Sequence, residues 1–184
     1  MSEEVRRLPI VGVMGSGTDP HEERARLLGS WLATLPVHLL TGGGGGVMSS
    51  VSRAFFEVRL RQGLVIGVLP GPVPREGYPN PWVEIAIRTH LPYSGERGGG
   101  PESRNSINVL SANVVVALPG SHGTASEVRL ALAYGRPLVA YLDRPEQIAG
   151  LPAGVRVEPD FDAVQRFVLD QLGTASQNGV SVPG

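Results

Sequence analysis

The chain has 184 residues, 41% of them hydrophobic, and a net charge of −1, with a mean hydropathy near zero. This composition predicts one soluble globular domain with a substantial core, and the balanced charge excludes a global field that would recruit nucleic acid or an anionic membrane. Cysteine is absent and all 16 basic residues are Arg, which excludes disulfides, cysteine nucleophiles, cysteine-ligated metals, Schiff-base lysines and a lysine P-loop.

Any fixed positive charge at a site therefore has to be a guanidinium, a forked donor suited to phosphate or carboxylate. The segment Met1–Arg7 lacks the apolar core of a signal peptide. No apolar run approaches the roughly 20 residues of a membrane helix. A cytosolic protein is expected.

Leu8 to Met14 is an apolar run that stops at Gly15-Ser16-Gly17. It reads as a strand and a glycine turn. Asp19, Pro20 and Glu22 then offer a cap, a first helical position and a capping-box partner. Leu28, Trp31, Leu32 and Leu35 recur at helical spacing before Pro36. Val37 to Leu40 is a second short strand, followed by Thr41 and five glycines, Gly42 to Gly46. Val47, Val51, Ala54, Phe55 and Val58 mark a second amphipathic helix that closes near Gly63, and Leu64 to Leu69 a third strand. The β-α-β-α-β order predicts an α/β fold: one doubly wound, Rossmann-like parallel sheet with helices on both faces.

Pro70 to Pro81 holds five prolines and two glycines and reads as an ordered loop. Val83 to Leu91 suggests another strand, and Pro92 to Pro101, with Gly95 and Gly98 to Gly100, a flap. Glu102 to Ala112 is expected to be helical. Val114 to Leu118 is a Val-rich buried strand that ends at Pro119-Gly120-Ser121-His122-Gly123, with a helix expected from Thr124 to Gly135. Leu138 to Leu142 and Val155 to Val157 are further strands, and Asp160 caps a last helix carrying Phe161 to Leu172. The domain is expected to span residues 1–172, with a disordered tail over 173–184.

Three glycine turns thus follow three apolar strands, at Gly15-Ser16, at Gly42-Gly43-Gly44 and at Gly120-Ser121-His122-Gly123. In an open α/β sheet these ends line one crevice. Free main-chain N–H groups and a positive helix end favour a phosphate there. A dinucleotide does not fit, because no G-x-G-x-x-G follows the first strand and no acidic residue ends the second. Glu127 has two readings: Thr124-Ala125-Ser126-Glu127 fits a capping box, and it also suits a carboxylate that faces a bound sugar. Arg104 is either a surface residue or, being a cation at an unfavourable helix start, the partner of an anion. His122 is an exposed turn residue or touches the ligand. No histidine shows metal-ligand spacing, so no metal is expected.

With Arg104, the glycine turn and Glu127 in place, the chain resembles the LOG-like Rossmann superfamily, long labelled as lysine decarboxylases. Its signature is an Arg near a helix start, a strand, and P-G-G-x-G-T-x-x-E. Here these are Arg104 and Pro119 to Glu127, and Gly42 to Met48 resembles the family's second glycine element. The resemblance runs from about Pro9 to Leu142. It implies first a phosphoribohydrolase that splits the N-glycosidic bond of nucleoside 5′-monophosphates without metal or organic cofactor. Arg104 and Glu127 would then be catalytic, and Gly120, Ser121, Gly123 and Thr124 would hold phosphate. Gly15, Ser16, Gly42, Gly43, Gly44, Asn105 and His122 would be further ligand contacts.

A sister branch carries molybdenum cofactor, a pterin phosphate, as cargo. Thr89 to Gly95 and Ser103-Arg104-Asn105 look closer to that branch, which makes carriage the alternative. A nucleotide-sensing module is a third. The second motif glycine is Ser121 here, and the residue after Arg104 is Asn105 rather than Lys. Lysine decarboxylation is not expected. The resemblance also implies a homo-oligomer, dimer or tetramer, with no nucleic acid or membrane partner.

Overall fold

A computed structural model describes residues 7–93, 97–100 and 102–177. The elements run β1 (Ile10–Met14), α1 (Glu22–Leu32), β2 (His38–Thr41), α2 (Val47–Phe56), β3 (Val65–Leu69), β4 (Ile85–Arg88), α3 (Asn105–Ser111), β5 (Val114–Ala117), α4 (His122–Ala133), β6 (Leu138–Tyr141), β7 (Val157–Glu158) and α5 (Phe161–Gln177). The strands form one sheet in the order β4-β3-β2-β1-β5-β6-β7, and every pair is parallel. The chain first winds outward from β1 to the β4 edge. It then crosses back to lay β5 on the other side of β1, with Val13 opposite Val116 and Met14 opposite Ala117. That reversal makes a crevice at the strands' carboxyl ends, the place where open α/β sheets receive ligands.

Period-two alternation divides the core between the two faces. Val11, Val13, Val114 and Val116 pack with Leu28 and Leu32 of α1, Phe55 of α2 and Val164 and Val168 of α5. Met14, Val115 and Ala117 pack on the other face with Val109 of α3 and Val128 of α4. Leu28, Leu32 and Phe55 are wholly buried, each stabilising the fold by about 1.5–3 kcal/mol relative to exposure. The doubly wound parallel sheet expected from the sequence is thus present. No helix among the described residues is long and apolar enough to cross a membrane.

Several boundaries differ from the sequence reading. Asp19 does not cap α1. The helix starts at Glu22 after His21, whose φ of 40° is left-handed. Asp19 Oδ1 instead accepts from His21 N at 3.1 Å, and Glu22 accepts from Ser50 Oγ at 2.7 Å, which ties α1 to α2. The strand expected over Val83–Leu91 is shorter, Ile85–Arg88; Val83 N bonds back to Asn80 O at 3.2 Å, in the turn before it. The helix expected from Glu102 starts at Asn105, and α4 starts two residues before Thr124. The last short strand is Val157–Glu158 rather than Val155–Val157. Asp160 does cap α5, accepting from Asp162 N and Ala163 N. Of the tail expected from Gly173, the helix takes residues as far as Gln177, and 178–184 lie outside the described residues. Gly95 of the expected flap also lies outside them.

Candidate functional site

A cavity of about 260 Å³ opens at the carboxyl ends of β1, β2 and β5. Ser16 knits the three glycine turns around it. Its N–H donates to Pro119 O at 3.0 Å, and its carbonyl accepts from Val47 N at 2.9 Å. Its hydroxyl accepts from Asp19 N at 2.9 Å and Thr18 N at 3.2 Å. Gly46, at φ 56°, lets the α2 start press against the Ser16 carbonyl, where a Cβ would collide. The three turns therefore form one backbone-bonded rim.

One wall is the start of α4. Ser121, Gly123 and Thr124 line the cavity. Ser121 is the N-cap residue but makes no side-chain cap bond. Ala125 N is bonded to Ser121 O at 3.1 Å, while the N–H groups of the turn before it have no intrahelical acceptor, as helix geometry dictates. These donors and the helix dipole suit an anion. Gly120 lies just behind the wall, where a Cβ would sit 2.8 Å from Thr124 Cβ. Its bareness lets the threonine fold over the turn.

The floor carries the charge. Arg104 is only 4% exposed. Its Nη1 donates to Gly42 O at 2.7 Å and to Val68 O at 2.6 Å, and its Nε is buried without a partner. Burial pulls the Arg104 pKa below its ordinary value, with the Glu127 charge opposing that shift. Glu127 is 8% exposed. Its carboxylate accepts from Asn108 Nδ2 at 3.3 Å, and the Asn108 carbonyl oxygen has no partner. Burial pushes the Glu127 carboxyl up to about 7, against the opposing pull of Arg104 and then of the Asn108 hydrogen bond. The two groups share the cavity wall, yet no ion pair joins them among the described residues. Near neutrality Glu127 can therefore give or take a proton.

The structure thus brings Arg104, Asn105, Glu127, Gly15, Ser16, Gly42, Ser121, Gly123 and Thr124 to one cavity. Glu127 sits beyond the first turn of α4 and bonds to α3, so the capping-box reading does not describe it. Gly43, Gly44, Gly120 and His122 are not on the cavity wall. His122 is exposed. The glycine run after β2 serves the protein's own side chains. A Cβ on Gly42 would sit 2.8 Å from Arg104 Cζ, one on Gly43 2.7 Å from Leu69, and one on Gly44 2.6 Å from the Tyr78 ring. Thr18, Met48 and Tyr78 are among the lining residues that the sequence reading did not assign, and Asn108, bonded to Glu127, was not assigned either. A Gly-rich turn facing a Pro-rich loop with one aromatic was the available signal for Tyr78. No cluster of His, Asp or Glu suited to a metal ion occurs among the described residues.

Known proteins share this sequence pattern and fold. A molybdenum cofactor carrier protein from Chlamydomonas reinhardtii is 37% identical, with 91% of this chain and 99% of that one covered and a TM-score of 0.71. The molybdenum cofactor binding protein from Rippkaea orientalis is 31% identical over 89% of this chain and 97% of that one, with a TM-score of 0.70. An uncharacterized protein from Archaeoglobus fulgidus is 30% identical over 148 residues, 79% of this chain and 87% of its own length. The sequence model of the SLOG cluster4 family matches residues 8–156. The chain belongs to the SLOG cluster4 family, within the LOG-like superfamily.

Proposed function

We propose that this chain binds molybdenum cofactor, a pterin phosphate, as cargo in the cavity above β1 and β5. One observation carries the reading: an uncapped helix start and a buried guanidinium converge on a single cavity that also has an aromatic wall. The phosphate lies against the first-turn N–H groups of α4. Arg104 holds the floor and balances charge, but its Nη1 is committed to Gly42 O and Val68 O, so it acts as a fixed field rather than a moving grip. The similarity to a molybdenum cofactor carrier protein and to a molybdenum cofactor binding protein supports the same choice of ligand. The test is to purify the chain from cells that make the cofactor, denature it, oxidise the extract and look for a fluorescent pterin. Stoichiometric pterin is expected; its absence, with no uptake on incubation with the free cofactor, refutes carriage.

A second reading is favoured by Glu127. A carboxyl titrating at about 7 in the same cavity as Arg104 suits hydrolysis of a nucleoside 5′-monophosphate. Ionised, Glu127 stabilises positive charge growing on the ribose and takes the proton of an attacking water. The products are the free base and ribose 5-phosphate. Free base released from AMP by the wild type and not by Glu127→Ala or Arg104→Ala supports this reading. The proposal includes a cytosolic homo-oligomer; light scattering on the purified chain checks the oligomer and cell fractionation the location.

A further inference from the structure

The loop between β3 and β4 carries Tyr78, the one aromatic side chain on the cavity wall among the described residues. The loop is not a loose cover. Asn80, 5% exposed, is fastened to the glycine run twice: its N–H donates to Gly43 O at 2.8 Å and its Nδ2 to Gly44 O at 2.9 Å. Two residues earlier, the Tyr78 ring lies against Gly44, where a Cβ would stand 2.6 Å from Cζ and the hydroxyl. Gly44 has an ordinary negative φ, so its bareness serves the ring and not the backbone. The ring is half-buried, and the Arg104 Cζ lies 5.9 Å from its centroid. The guanidinium thus lies over one face of the phenol ring, and both groups line the cavity that the start of α4 also lines. Both surfaces favour contact with a flat π system; a bare sugar phosphate would meet the guanidinium's charge but has nothing to stack on the ring.

We propose that Tyr78 is the specificity-determining residue of this site: the ligand's planar heterocycle packs on its ring while the phosphate occupies the α4 end. This rests on the reading of the cavity as a phosphate-ligand site. It adds that the loop pinned by Asn80 selects ligands that carry a purine- or pterin-like ring over ring-free sugar phosphates. The phenol hydroxyl is dispensable; the ring is not.

The test titrates the full chain calorimetrically with neopterin monophosphate and AMP as ring-bearing probes and ribose 5-phosphate as the ring-free one. Tyr78→Ala is expected to weaken the better ring-bearing probe about tenfold, the size of one aromatic stacking contact, and to leave ribose 5-phosphate within about twofold. Tyr78→Phe and Tyr78→Trp are expected to restore the wild-type preference, which a collapsed loop would not. Equal weakening of all probes by Tyr78→Ala, or no weakening of any, overturns the role of Tyr78 while leaving the phosphate site intact. Wild-type protein that binds none of the three probes overturns the underlying reading of the cavity, and the inference with it.

Discussion

Replacing Glu127 by Gln tests the electrostatics of the cavity directly. The substitution keeps the shape and can still accept from Asn108 Nδ2, which now reaches Glu127 at 3.3 Å, but it removes the titration. Burial raises the Glu127 pKa from 4.5 to about 7. Between those values the folded chain holds a proton that the unfolded chain has released. Its stabilising contribution is therefore complete below about pH 4.5, declines as pH rises through the window, and is lost above about 7. The shift corresponds to about 3 kcal/mol, an order-of-magnitude figure. Urea unfolding of the wild type and Glu127→Gln at intervals from pH 4.5 to 8.5 reads it. The wild type is expected to lose about 3 kcal/mol relative to the variant across that range, with most of the change between pH 5 and 7. A stability difference that stays flat with pH would refute the reasoning, because it would mean that Arg104 or water in the cavity keeps the carboxylate ionised at its ordinary value.

Asn108→Leu removes the hydrogen bond that favours ionised Glu127, so the same pH titration is expected to move its midpoint above that of the wild type. Gly42→Ala puts a methyl where the Arg104 guanidinium lies; the loss of one charge-assisted hydrogen bond costs about 1.5–3 kcal/mol, and denaturant midpoints together with phosphate-probe affinity should both fall. Leu118→Ala, at a wholly buried position next to the glycine turn, is expected to cost about 2–5 kcal/mol in unfolding free energy while the folded protein keeps its affinity for ligand. An unchanged Gly42→Ala melt would show that the guanidinium has room to leave the floor.

The sheet was legible because its signals are local. Val114 to Val116 form a buried parallel strand by composition alone, and each glycine turn ends an apolar run, so the ends of β1, β2 and β5 could be expected to line one crevice before any contact was known. Helix starts were less legible. Asp19 and Pro20 had the right identities for a cap, yet the chain turns left-handed at His21 and starts α1 at Glu22, whose carboxylate bonds to Ser50 of α2 rather than reaching back to a cap. The link between β3 and β4 reads as a loop from its prolines, but its prolines do not say that Asn80 fastens it to Gly43 and Gly44. Asn108 carries no local sequence signal for the site. Only its burial against Glu127 gives it a role.

The amino-acid order by itself determined a doubly wound α/β sheet with glycine turns at its carboxyl edge, since period-two burial and turn residues act over a few positions; that Arg104 and Glu127 join those turns was only what the family resemblance implied. Tertiary structure decided what each glycine is for. Gly42 and Arg104 are 62 residues apart, and Val68 and Arg104 36 apart. The same bare backbone that could cradle a phosphate is filled instead by a guanidinium and a tyrosine ring. A glycine records only that something must come close; which group comes close is fixed by the packing of distant elements, and no local pattern encodes it.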